Sequence, residues 1–141
     1  MRKRLSVTAL AALILIITGS AAYALDLWAH EWPVTDFENR SIDLDEILSG
    51  GPPKDGIPSI DNPVFAPAAA IDDLPDLEPV ISVEVDGQAR AYPLRILMWH
   101  EIVNDKVNGV PLTITFCPLC TTGIVFEREI DGVVHDFGTT G

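Results

Sequence analysis

The chain has 141 residues, with 21 Asp and Glu against 9 Lys and Arg, for a formal net charge of -12. That length holds one domain, and the acidic balance argues against a basic phosphate-binding surface, so no nucleic-acid partner is expected. A hydrophobic content of 48% excludes a wholly disordered acidic chain, and two cysteines are too few for a disulfide scaffold or a self-contained four-cysteine zinc site.

Arg2, Lys3 and Arg4 precede an apolar run from Leu5 to Thr18. Small residues follow, and Ala22-Tyr23-Ala24 fits an A-x-A cleavage site. This three-part order reads as a secretory signal peptide over residues 1–24. The run is short for a membrane span, which needs roughly 20 residues. The alternative is an uncleaved anchor reaching from Leu5 to Ala24. The expectation is an exported protein, periplasmic or extracellular, with no stable membrane span after cleavage. Cleavage after Ala24 leaves 117 residues and removes three basic residues and no acidic one, which takes the net charge to -15.

Residues 25–49 form a mixed N-terminal segment. Ser41 to Ser49 reads as a short helix, with Ser41 as its N-cap and Asp43, Asp45 and Glu46 in its first turns. Gly50 and Gly51 stop it. Trp28 and Trp32 read as packing residues. A single β domain is expected over residues 50–141.

Seven prolines between Pro52 and Pro79 exclude long helices and regular strands there. One short helix from Pro67 to Leu74 is compatible with them. Ile57, Ile60, Val64, Phe65 and Ile71 supply apolar anchors that a flexible linker does not need, so the segment reads as an ordered, wrapping loop.

From Val80 the pattern alternates with period two. Ile81, Val83 and Val85 lead to the turn pair Asp86-Gly87, and Gln88 to Tyr92 returns. Pro93 to Trp99 is a short helix or turn. Glu101 to Asn104 and Val110 to Phe116 flank a longer loop, Asp105 to Gly109, in which Asn104, Asp105 and Asn108 read as turn residues. Ile124 to Ile130 and Val133 to Phe137 flank Asp131-Gly132. The fold class is therefore mostly β, with antiparallel hairpins, short helices and a Pro-rich wrapping segment. The last hairpin lacks a following element over its edge, which reads as an incomplete domain.

Cys117-Pro-Leu-Cys120 is the sharpest chemical feature. The β-branched Thr121 to Phe126 stretch excludes the helix of a thioredoxin-type centre. Thr121, standing where haem attachment needs histidine, excludes that chemistry. Two readings stay open. The pair forms a disulfide in an oxidising compartment, structural or exchange-active. Or both thiolates, with His100 or a carboxylate, hold a soft ion such as copper or zinc. No cofactor is required by the sequence.

Trp99-His100-Glu101 is the second feature. His100 can act as a general base or ligand with Glu101 orienting it. It reads equally as a hydrogen-bonded histidine beside a core tryptophan. Arg90 and Arg95 flank Tyr92-Pro93 and bind a carboxylate ligand or pair with the abundant acids. His135 alternates with its neighbours on a strand and reads as structural. No G-x-S-x-G and no H-E-x-x-H is present, since Asn104 stands four after His100.

Gly51-Pro-Pro-Lys-Asp-Gly-Ile-Pro58, Arg90-Ala-Tyr-Pro-Leu-Arg95, Trp99-His-Glu-Ile-Val-Asn-Asp105 and Thr115-Phe-Cys-Pro-Leu-Cys120 occur in that order, followed by Ile124-Val-Phe126. In this combination the chain resembles the bacterial and archaeal family catalogued as domain of unknown function 3179, over roughly Asp43 to Gly141. The resemblance implies an exported protein and a match to the N-terminal part of a longer domain. It implies no activity. Two function classes follow: a thiol-redox or metal site at Cys117, Cys120 and His100, or a non-enzymatic binding module whose Cys117–Cys120 disulfide is a staple. The substrate or partner is not specified by either.

Overall fold

Three dipeptides turn the chain back on itself. A computed structural model describes residues 28–140, so residues 1–24 and the cleavage site lie outside it. Asp86-Gly87, Asn108-Gly109 and Asp131-Gly132 each carry positive φ at both positions, from 45° to 53° at the first residue and 78° to 87° at the glycine. That is the mirror-image turn whose twist matches paired strands, and glycine adopts its second position without strain.

The turns connect β1 (Val80–Val85) to β2 (Gln88–Pro93), β3 (Ile102–Val107) to β4 (Val110–Cys117), and β6 (Glu129–Ile130) to β7 (Val133–Val134). β5 (Thr122–Glu127) returns along β4. The sheets are β1-β2, β3-β4-β5 and β6-β7, every ladder antiparallel. The protein is mostly β, as the alternation implied.

The middle hairpin differs from the sequence expectation. Its turn is the two residues Asn108-Gly109, not the longer loop Asp105 to Gly109. Asn104 and Asp105 are therefore strand residues, and both are buried. The last hairpin is shorter than Ile124–Ile130 and Val133–Phe137 suggested. The β4–β5 ladder ends with Leu112 opposite Glu127, and the Arg128 N–H closes it on the Pro111 carbonyl at 3.0 Å. Pro111 has no N–H to donate, and the chain leaves the sheet there. His135 falls just beyond β7 and is exposed.

The core sits on one face of β3-β4-β5. Side chains on a strand alternate between faces. Val103, Asp105 and Val107 thus share a face with Leu112, Ile114 and Phe116 and with Gly123 and Val125. Hairpin β1-β2 covers this face with Ile81, Val83, Val85 and Tyr92, and α1 (Leu94–His100) adds Leu94 and Leu97. Packing is close where the layers meet: a Cβ at Gly123 would lie 2.6 Å from Ile81 Cδ1.

Both expected short helices shrink to single 3-10 turns. In the first unit, which ends at Ser49, the turn is Leu44–Glu46. Its N-cap is Asp43, without a side-chain cap, rather than Ser41. No residue of it is buried, and Leu48 is 87% exposed. An apolar face with nothing to pack against does not offset helix nucleation. Within residues 50–141, the second unit, the turn is Ala68–Ala70 rather than Pro67–Leu74. Leu74 precedes Pro75, which disfavours helical backbone.

Backbone pairing ties the Pro-rich segment to β3 at Ile60. Ile60 makes a parallel bridge to Val103, its N–H donating to the Ile102 carbonyl at 2.9 Å and its carbonyl accepting the Asn104 N–H at 2.8 Å. Val64 is 98% exposed and does not act as an anchor. Among the described residues no helix is long and apolar enough to cross a membrane.

Asp105 fastens the covering hairpin. Both of its oxygens accept hydrogen bonds from the Arg90 guanidinium, the Tyr92 hydroxyl donates to Oδ2 at 2.7 Å, and the Lys106 N–H to Oδ1 at 2.6 Å. Burial alone would push this carboxyl up, but those donors hold it below the usual carboxylate range. Its stabilising contribution is therefore complete above the unfolded value of about 3.9 and is lost as pH falls through the lower folded value. We expect Asp105→Asn to cost about 2–4 kcal/mol at pH 7. Urea denaturation of both proteins from pH 7 down to pH 2 checks this, and the gap should close below pH 4.

Candidate functional site

The thiol turn is built by strand pairing. Cys117 closes β4 and stands opposite Thr122, the first residue of β5, which leaves residues 118–121 as the loop. Pro118 is in the loop and needs no ladder hydrogen bond. Thr121 carries φ of 51°. That is an uncommon conformation for a β-branched residue and stores strain at the end of the turn.

Both cysteines are free thiols, Cys117 half-buried and Cys120 exposed. The Cys120 N–H donates to Cys117 Sγ at 3.2 Å. The two groups are driven apart. A hydrogen bond from the Cys120 thiol, then the backbone N–H groups of Cys120 and Leu119, hold Cys117 below the ordinary thiol range against partial desolvation and the negative charge of Glu101. The same Cys117 contact, its charge and desolvation push Cys120 up. Cys117 is thus the thiolate of the pair at lower pH, and Cys120 the proton carrier.

Glu101 lies beside this turn through the backbone. It caps α1 with φ of 57°, and its carbonyl accepts the Phe116 N–H at 2.8 Å. His100, the last residue of α1, is committed elsewhere. Its Nδ1 lies 2.9 Å from the Pro58 carbonyl. A carbonyl only accepts, so Nδ1 carries the proton and Nε2 is the unprotonated nitrogen of the neutral ring. Trp99 is not the core residue the sequence suggested; it is 78% exposed. Among the described residues no three His, Cys, Asp or Glu side chains are grouped so as to hold a metal ion.

Arg95 is not part of the thiol turn. Its guanidinium donates to the Asp73 carboxylate at 3.1 Å and to the Asp73 carbonyl at 3.2 Å. Arg90 pairs with Asp105, and its guanidinium carbon lies 4.4 Å from the centroid of the Phe65 ring. Phe65 in turn meets Tyr92 edge-on at 5.5 Å. A groove of about 1010 Å³ runs along this cluster, lined by Phe65, Ile71, Arg90, Tyr92 and Arg95 among others, and by none of Cys117, Cys120, His100 or Glu101. Both arginines thus pair with acids.

Sequence reading missed the role of Asn104. Its Nδ2 donates to Asp61 Oδ1 at 2.8 Å and to the Phe137 carbonyl at 2.9 Å. Its Oδ1 accepts the Thr113 hydroxyl and the Phe137 N–H, each at 3.1 Å. All four hydrogen-bonding positions of a fully buried amide are used. The signal available was Asn108-Gly109, which places the turn four residues later and Asn104 inside a strand.

A family model described as protein of unknown function (DUF3179) matches residues 54–141. The matched span begins at Lys54 rather than near Asp43. No curated protein matches the chain, and no solved structure does.

Proposed function

The chain belongs to the DUF3179 family, whose description names no activity, and we propose from the thiol turn that it is an exported protein carrying out thiol–disulfide exchange at Cys117 and Cys120. The observation that carries this reading is the Cys120 N–H bonded to Cys117 Sγ in an exposed hairpin turn, with both thiols free. A structural staple gains little there, because the Cys117–Thr122 pair already closes the turn.

The reaction follows from the two unlike thiols. The Cys117 thiolate attacks one sulfur of a substrate disulfide, and the displaced thiolate takes a proton from water. Cys120 gives up its proton and attacks Cys117 Sγ, which releases the second substrate thiol. Two electrons pass from the protein to the substrate, one proton comes from Cys120 and one from water, and the Cys117–Cys120 disulfide remains. A dithiol reductant restores the pair, and the reverse sequence oxidises a substrate dithiol.

Incubation of the reduced chain with a disulfide-bonded peptide tests this. The wild type should reduce the peptide, Cys120→Ser should accumulate a mixed disulfide at Cys117, and Cys117→Ser should lose exchange by about 100-fold or more at unchanged thermal stability. A Cys117→Ser variant that retains exchange, or a wild type that forms no mixed disulfide and no internal disulfide, contradicts it.

Export rests on the basic, apolar and A-x-A segments of residues 1–24. N-terminal sequencing of the protein from an expressing bacterium should begin at Leu25. A chain that still begins at Met1 and stays in the cytoplasm contradicts it.

A further inference from the structure

The two cysteines form a donor set with a definite number. Cys117 and Cys120 sit three residues apart at one turn, joined by the Cys120 N–H donating to Cys117 Sγ at 3.2 Å. No third His, Cys, Asp or Glu completes a metal-holding group among the described residues. His100, whose Nδ1 is bonded to the Pro58 carbonyl, is not grouped with the two sulfurs. The set is therefore two sulfurs and nothing else.

That number selects the ion. Zinc takes four ligands in structural sites and three plus water in catalytic ones. Calcium and magnesium take oxygen donors. Soft thiolates alone suit a soft monovalent ion, above all Cu(I). The geometry points to the Cys117–Cys120 turn as a two-thiolate site for Cu(I), exposed enough for the ion to be taken up and passed on.

Three further observations support it. The N–H of Cys120 is aimed at Cys117 Sγ at 3.2 Å, a donor that stabilises sulfur carrying negative charge. Cys120 is exposed and the intervening Leu119 is 90% exposed, so an incoming carrier of the ion reaches both sulfurs without unfolding the turn. The chain carries 21 acidic residues against 9 basic ones, a field that draws cations. Binding exchanges two thiol protons for one Cu(I), with no change in the oxidation state of copper or sulfur. The inference does not rest on disulfide exchange, although oxidation of the pair to a disulfide would expel the ion.

The test is competition for Cu(I) between the full-length reduced chain and a chromophoric Cu(I) chelator, without oxygen. One Cu(I) per chain is expected, with a thiolate-to-copper charge-transfer band. Cys117→Ser and Cys120→Ser should each weaken binding by about 100-fold or more, the chelate gain of two linked donors. His100→Ala should leave the affinity within about threefold, since an imidazole outside the coordination sphere contributes little. Circular dichroism of each variant establishes that it is folded. No transfer of Cu(I) to the wild type, transfer unchanged in the folded serine variants, or transfer abolished by His100→Ala in a folded chain overturns the inference. Disulfide exchange is read in a separate assay, so loss of one property is distinguishable from loss of the other.

Discussion

Two adjacent polar residues in one buried strand hold the structure together. Successive side chains of β3 point to opposite faces, so Asn104 and Asp105 serve different layers. Asp105 faces the core and fastens β2 through Arg90 and Tyr92. Asn104 faces the other way and fastens Asp61 of the Pro-rich segment and Phe137 near the end of the described chain. Neither layer reaches the sheet through apolar contact alone. A buried amide or carboxylate without partners is costly, so each group enforces the arrangement that satisfies it.

This clamp places the thiol turn. β3 and β4 are held in register, with Ile102 opposite Thr115. One residue further on, the Glu101 carbonyl meets the Phe116 N–H. Cys117 follows directly at the strand end, flanked by left-handed Glu101 between α1 and β3 and by left-handed Thr121 in its own loop. Such strained non-glycine backbone on both sides of Cys117 persists only where the surroundings enforce it.

Much of this was legible in the sequence. The Asp86-Gly87 and Asp131-Gly132 turns, the helix following Pro93 and the strands ending at the cysteine pair follow from alternation and turn chemistry. The two short helices were overread because cap and charge signals carry no information on whether an apolar face will find a partner. Asn104 and Asp105 were misread because asparagine and aspartate are common in turns. Their burial depends on Arg90, Tyr92, Asp61 and Phe137, which are remote in sequence. The same holds for His100, whose bond to Pro58 spans 42 residues. Local pattern does not encode such pairings.

Hydrogen exchange on Asn104→Ala tests the clamp most directly. Its loss removes the bonds to Asp61 and Phe137 and leaves the Asp105 face intact. The account predicts that the Ile60 and Phe137 amides lose protection by about tenfold or more while those of β1 and β2 keep theirs. Uniform loss across all strands, or unchanged protection at Ile60 and Phe137, would contradict it.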